Sequence, residues 1–178
     1  MFMENEFAEK VEILGEALVV GATEIANVIV NELSQLCEDL EFCTDDDAVQ
    51  YVIEVVVFYM HLVDRSIFAK LGPVRREVFQ DNFVIIVLRL LQKQRGDTTP
   101  NFEKALREIY NYRQLFYSQF KDLVPNRNEQ LKDTLCWEFS KVLFECFKDT
   151  NPVTLVSINI IVVRMTSLMV NEVIDCAI

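Results

Sequence analysis

The stretch from Ala48 to Leu71, AVQYVIEVVVFYMHLVDRSIFAKL, is the most apolar helical segment of the sequence. Thr44 precedes it with three aspartates, a combination that caps a helix and suits its positive end. Gly72 and Pro73 end it, because Gly favours a C-terminal stop and Pro the first residue of the next helix. At about 100° per residue, apolar side chains cover most of its circumference. Such a helix is expected at the centre of its domain, with the other segments packed around it.

One narrow polar stripe interrupts this apolar surface and carries candidate ligand-binding residues. His61 and Arg65 are one turn apart and can reach the same ligand, whereas Glu54 lies two turns from His61. Three interpretations stay open: the stripe faces solvent, it forms a buried structural network, or it lines a functional pocket. The stripe consists of Asp47, Gln50, Glu54, His61 and Arg65, with Asp64 at its edge.

Four prolines and several caps divide the chain into helical segments without the alternation or turn clusters of a β-sheet. Gly15 and Gly21 flank the apolar stripe of the first segment and allow another helix to approach closely. We expect that helix to belong to the same chain, with a partner helix as the alternative. The predicted helices run from about Met3 to Cys37, Thr44 to Leu71, Pro73 to Gln94, Thr99 to Asp122, Asn128 to Lys148, and onward from Pro152.

These segments predict the fold class. Residues 1–178 are expected to form a single all-α domain, a bundle of about six helices in which helices 2 and 3 are central. In the last helix, Asn159 lies on the apolar side and needs a hydrogen-bond partner, whereas Arg164 is expected to be exposed.

Arg113 falls in the middle of the apolar face of the fourth helix. An unpaired buried cation is very costly, so Arg113 needs a carboxylate, backbone carbonyls or an anionic ligand. Asp64 and Glu54 are the possible carboxylate mates. Three interpretations stay open: a structural ion pair, an edge position with the guanidinium reaching water, and ligand binding.

Trp137 and Phe144 lie seven residues apart on an otherwise polar side of the fifth helix. Large aromatic residues are enriched at protein interfaces. The pair therefore predicts a subunit interface, unless another helix of the same chain covers it.

Charge and cysteine content exclude several classes of protein. The formal net charge of -11 repels phosphate backbones, so nucleic-acid binding is not expected. Five scattered cysteines without a C-x-x-C pair favour reduced thiols in a cytoplasmic protein over a disulfide framework. The most membrane-like run, from Val153 to Val170, contains Asn159 and Arg164, which favours a core helix over a membrane span.

No catalytic or cofactor motif is recognisable. The residue three positions before the only histidine, His61, is Phe58, so the Glu-x-x-His pairs of carboxylate-bridged metal sites are missing. Phosphate-binding glycine loops and nucleophile elbows are also missing. We predict no metal and no cofactor, and the absences point away from an enzyme.

Two functions stay open. The first is a non-catalytic cytoplasmic protein that acts through self-association, as a homo-oligomer such as a dimer, or through a protein partner, with no nucleic acid and no membrane. The second is a helical pocket for a small anionic or amphipathic ligand, with or without enzymatic use. Its candidate residues are Glu54, His61, Asp64, Arg65 and Arg113.

Overall fold

The computed structural model describes residues 2–37, 40–96, 100–124 and 132–170. In these ranges the chain is helical, and the all-α prediction is confirmed. A break inside α2 divides it into two halves, so the described residues form six helical segments. Outside the helices, the described residues include one isolated antiparallel β-bridge, between Phe42 and Phe147. The helices are α1 (Phe2–Leu36), α2 (Asp45–Arg95), α3 (Pro100–Tyr117), α4 (Leu135–Phe144) and α5 (Pro152–Met169).

The break in α2 lies at Gly72, the predicted stop. Its backbone has φ 74° and ψ 179°, a conformation that is essentially restricted to glycine. Pro73 follows, and its missing N–H does not interrupt a helical hydrogen bond because a new helix begins there. The first half of α2 thus ends at residue 71, and the second half turns away and runs to Arg95.

The first half of α2 is the centre of the core, as its all-round apolarity predicts. Apart from Val52, every residue from Tyr51 to Asp64 is buried. Phe58 stacks on Phe139 of α4, with ring centroids 3.8 Å apart. The second half of α2 adds one buried face to the core, which consists of Phe79, Phe83, Val84, Val87, Leu88 and Leu91.

α1 packs with its apolar stripe against other helices of the same chain, and two of these helices approach it closely at its glycines. A Cβ atom on Gly15 would lie 2.8 Å from Ile86 Cγ2, and one on Gly21 would lie 3.2 Å from Met169 Cε. α1 therefore contacts both the second half of α2 and α5 at positions where a side chain would not fit without movement. The expectation that this stripe packs within the chain is confirmed.

Several predicted helix ends are found in the structure. The Thr44 hydroxyl accepts a hydrogen bond from the Asp47 N–H at 3.1 Å, and Asn151 caps α5 in the same way through Val153. Gly96 ends α2 in the left-handed conformation and donates its N–H to Lys93 O. The cap proposed at Thr99 lies outside the described residues.

Two helix boundaries were predicted wrongly. α3 ends at Tyr117 rather than Asp122, because its last turn tightens into i to i+3 hydrogen bonds from Gln119 and Phe120. α4, which begins at Leu135, ends at Phe144 rather than Lys148, whereas the predicted start near Asn128 lies outside the described residues. Thr134 caps its start, and the chain leaves the helix to reach the bridge at Phe147.

Two polar residues of α5 occupy the environments expected for them. Asn159 is buried and donates to Ser140 Oγ of α4 at 3.2 Å, which supplies the partner that its position requires. Arg164 is exposed and forms an ion pair with Glu32 of α1. Together these two contacts attach α5 to both neighbouring helices.

Candidate functional site

Glu54 and Arg113 form a buried ion pair between the first half of α2 and α3. Arg113 Nε lies 2.7 Å from Glu54 Oε2, and its second nitrogen lies 2.8 Å from Oε1. Gln50 Nε2 also donates to Oε1, at 2.8 Å. The side chains are only 3% and 17% exposed, for Glu54 and Arg113 respectively. Of the two carboxylates considered for Arg113, it is Glu54 that neutralises its charge.

The burial of Glu54 and His61 overturns one interpretation of the polar stripe. These residues are 2% and 4% exposed, so this part of the stripe does not face solvent. It faces α3 instead, whose polar side chains Arg113 and Gln114 supply the partners. A single sequence segment does not reveal which neighbouring helix covers a polar line, and this is why solvent exposure was a reasonable expectation.

His61 is a buried histidine with one bonded and one unbonded ring nitrogen. Its Nδ1 lies 2.7 Å from Gln114 Oε1, so Nδ1–H is the donor when the amide is oriented in this way. Within the described part of the chain, its Nε2 has no hydrogen-bond partner. Burial lowers the pKa of His61, the Gln114 bond raises it, and the nearby Arg65 cation lowers it again. His61 is therefore held mainly as the neutral imidazole.

The lowered pKa of His61 predicts a pH-dependent stability. Because the folded pKa lies below the ordinary value of 6.5, the unfolded chain takes up the proton first. We expect the free energy of unfolding to fall as the pH decreases through 6.5 toward the folded pKa. Urea unfolding from about pH 7.5 to 5.5 measures the effect. His61→Gln should flatten this dependence, and equal slopes for both proteins would contradict the expectation.

Asp64 and Arg76 form a second ion pair, which spans the break in α2. Arg76 Nε lies 2.7 Å from Asp64 Oδ1, and the second bond of this bidentate contact is 2.5 Å. The hydrogen bond to Asp64 raises the pKa of Arg76. Arg76 is not among the residues predicted from the sequence, because it is the backbone turn at Gly72 that brings a residue twelve positions away to Asp64.

Arg65 closes the end of α3. Its guanidinium donates to the carbonyl oxygens of Phe120, at 3.1 Å, and Lys121, at 2.5 Å. These carbonyls follow the last turn of α3, so no backbone N–H group of a further helical turn bonds to them. Arg65 thus links the central helix to the end of α3 and is fixed in position by the backbone.

A cleft lies beside these groups, and it is called the α2–α3 cleft below. Its volume is about 360 Å³, and it opens to solvent. Three predicted residues line it, His61, Asp64 and Arg65, whereas Glu54 and Arg113 are not among its lining residues. The predicted ligand-binding set is therefore divided between a buried ion pair and a cleft. The lining consists of His61, Asp64, Arg65, Phe68, Arg76, Ser118, Phe120 and Lys121.

The predicted interface residues Trp137 and Phe144 are both half-buried. Phe144 packs against the core cluster of its own chain. The proposal of a subunit contact at these residues stays a prediction, and neither side chain belongs to the exposed large apolar residues.

α5 presents a more exposed apolar surface, which we call the α5 face. Val153 and Ile160 are 67% and 64% exposed, and Leu168 is 47% exposed. Their spacing of seven and eight residues places them on one side of the helix, together with Val156. The α5 face could not be predicted from sequence periodicity, because α5 also carries apolar residues on its buried side.

Two helices of the described residues are long and apolar enough to cross a membrane, Phe7–Leu36 and Pro152–Met169. This criterion uses length and composition alone, and helices in the core of a soluble protein also meet it. In the most apolar windows of these helices, 44% and 39% of the residues are buried inside the chain. The finding does not assign either helix to a membrane.

Two of the described cysteines, Cys136 and Cys146, are buried. Burial raises the pKa of Cys136 and Cys146 to about 12, so both are protonated thiols at neutral pH. Among the described residues, no group of three or more His, Cys, Asp or Glu side chains is placed to hold a metal ion.

No protein-family model, no curated protein and no solved structure matches the chain.

Proposed function

We propose that this is a non-catalytic, cytoplasmic helical protein that acts by self-association, with the α5 face as the contact between two copies. The observation that supports the proposal is a row of four exposed apolar side chains on one helix, in which Arg164, paired with Glu32, lies between Ile160 and Leu168. Contiguous exposed apolar surface is typical of interaction sites, whereas single exposed apolar residues are common on any protein. The four cysteines described as free thiols support the cytoplasmic assignment.

Charge favours a second copy of this chain as the occupant of the α5 face. Each chain carries a formal net charge of -11, so most surfaces of two copies repel one another. α5 contains no acidic residue, and its one charged side chain, Arg164, is paired with Glu32 of the same chain. Two copies can therefore meet at α5 without placing carboxylates against each other.

The spacing of the α5 face also suits a twofold symmetric contact. An antiparallel pair of α5 helices centred next to Ile160 places Val153 of one copy opposite Leu168 of the other. In the same register, Arg164 lies opposite Ser157 rather than opposite its own counterpart. Such an isologous contact uses one surface patch twice, as most homodimers do.

Ile160→Asp tests this contact. Ile160 lies near the proposed twofold axis, so the substitution would place two carboxylates close together in an apolar interface. We expect the dissociation constant of the dimer to rise at least about a hundredfold. Sedimentation velocity or native mass spectrometry over a range of protein concentrations measures the change.

Leu115→Asp is the matched control, because Leu115 of α3 is an equally apolar and 72% exposed residue on another helix. It should leave the dimer unchanged. A wild-type protein that stays monomeric at high concentration would refute self-association. Loss of the dimer in Trp137→Ala but not in Ile160→Asp would move the contact to Trp137 and Phe144. Co-flotation of wild-type protein, but not Ile160→Asp, with lipid vesicles would replace the partner chain with a membrane surface.

A further inference from the structure

The α2–α3 cleft concentrates positive charge in an acidic protein. Arg65, Arg76 and Lys121 line it, and Asp64 is the single carboxylate among its described lining residues. The whole chain has a formal net charge of -11, so this local excess of cations runs against the overall composition. Long-range repulsion disfavours large polyanions such as nucleic acids, whereas a small anion senses mainly the charges within a few ångströms.

The two arginines of the cleft are held in place and still have donors to offer. A guanidinium carries five N–H groups. The described hydrogen bonds of Arg65 use two of these groups on the Phe120 and Lys121 carbonyls. Those of Arg76 use two on Asp64. Fixed arginines with remaining donors suit an oxyanion, because little side-chain entropy is lost when the anion binds.

The cleft also has an apolar side. Phe68 is 50% exposed and lines the cleft together with Phe120. Arg76 lies over the Phe68 ring, with its Cζ 5.5 Å from the ring centroid. His61 also lines the cleft, but its Nδ1 is bonded to Gln114 and its Nε2 is buried, so neither nitrogen is offered to a ligand. The ligand that fits these groups combines an oxyanion with a compact apolar part.

We infer that the α2–α3 cleft binds a small organic phosphate monoester, with the phosphate at Arg65, Arg76 and Lys121 and its apolar group at Phe68 and Phe120. The phosphate group carries a charge of about -1.5 to -2 at pH 7, which balances the net charge of the three cations and one carboxylate in the described lining. A ligand with a single carboxylate would leave one positive charge unbalanced. A volume of about 360 Å³ accommodates a small molecule of this kind.

Phenyl phosphate is the probe for this inference, with inorganic phosphate and phenol as partial ligands. Isothermal titration calorimetry gives the affinity of the 178-residue chain. His61 is the only histidine, so its imidazole resonances report unambiguously on the cleft. We expect saturable binding of phenyl phosphate with shifts of these resonances, and at least about tenfold weaker binding of either partial ligand.

Lys121→Glu is the decisive variant, since Lys121 is exposed and its replacement does not disturb the core. We expect the affinity for phenyl phosphate to fall at least about tenfold. Lys104→Glu is the matched control, because Lys104 is an exposed lysine of α3 outside the cleft and the net charge changes equally. It should alter the affinity less than about twofold. Unchanged unfolding midpoints, followed by Trp137 fluorescence, verify that both variants are folded.

Three results would overturn the inference: no saturable binding below about 10 mM phenyl phosphate, equal loss in both lysine variants, or equal affinity for inorganic phosphate. A phosphate monoester also occurs as the headgroup of phosphatidic acid. Vesicles of phosphatidylcholine with and without phosphatidic acid distinguish this source. Headgroup-dependent binding that Lys121→Glu abolishes supports a lipid phosphate, whereas binding of phenyl phosphate alone supports a soluble ligand.

Discussion

Arg113→Met is expected to lower the free energy of unfolding by about 3–5 kcal/mol. The substitution removes the cation from a pair in which Glu54 is 2% exposed, and among the described residues it leaves the carboxylate with only Gln50 as a donor. A buried charge without its counter-ion costs far more than the net contribution of the intact pair. The size of the effect therefore reports the burial of Glu54 rather than the strength of one hydrogen bond.

The double variant Glu54→Leu/Arg113→Met distinguishes an unpaired charge from a simple loss of packing. The first explanation predicts that the second substitution raises the free energy of unfolding, and the other predicts that it lowers it further. Replacing both partners with apolar side chains removes the uncompensated charge, and such replacements are often nearly neutral. We expect the double variant to be more stable than Arg113→Met alone. A double variant that is less stable than the single variant would show that the carboxylate of Glu54 does not need its partner.

Urea unfolding, followed by the fluorescence of the single tryptophan Trp137, measures these differences. Arg107→Met is the matched control, because it breaks another arginine–glutamate pair, with Glu103, whose side chains are 45% and 50% exposed. Exposed pairs contribute about 0–1 kcal/mol, so the free energy of unfolding of this variant should fall by no more than that. Equal losses for Arg113→Met and Arg107→Met would refute the burial argument.

Gly72→Ala is expected to destabilise the protein by about 1–2 kcal/mol. At φ 74° and ψ 179°, a residue with a Cβ atom is strained by about 1–3 kcal/mol. Alanine also restricts the unfolded chain, which offsets about 0.4–1 kcal/mol of this cost. A Cβ atom at this position meets no described atom within 4 Å, so the loss comes from the backbone and not from a clash.

Gly96→Ala separates the conformation at Gly72 from a general effect of removing glycine. Gly96 also has a positive φ of 72°, but its ψ of 9° lies in the left-handed helical region that other residues tolerate better. We expect Gly96→Ala to lower the free energy of unfolding by less than about 1 kcal/mol, again measured by urea unfolding. A stability of Gly72→Ala equal to that of the wild type would mean that α2 does not break as described.

Local sequence signals predicted the helices well because they depend on neighbouring residues. The Thr44 cap, the break at Gly72 and Pro73, and the Asn151–Pro152 start of α5 all follow from the chemistry of a few adjacent positions. Helix ends set by distant partners were missed. α3 ends early, before the Phe120 and Lys121 carbonyls that Arg65 binds, and α4 ends before Phe147 joins Phe42.

The sequence by itself determined that the chain is helical, that the segment containing Glu54 and His61 is central, and that Arg113 needs a partner. Each of these conclusions depends on periodicity or on the cost of burying charge, which a sequence displays directly. Only the tertiary structure decided that Glu54 rather than Asp64 binds Arg113, that Arg76 meets Asp64, and that Lys121 joins the α2–α3 cleft. These contacts join residues from twelve to 59 positions apart, and the directions of whole helices, which no local pattern encodes, bring them together.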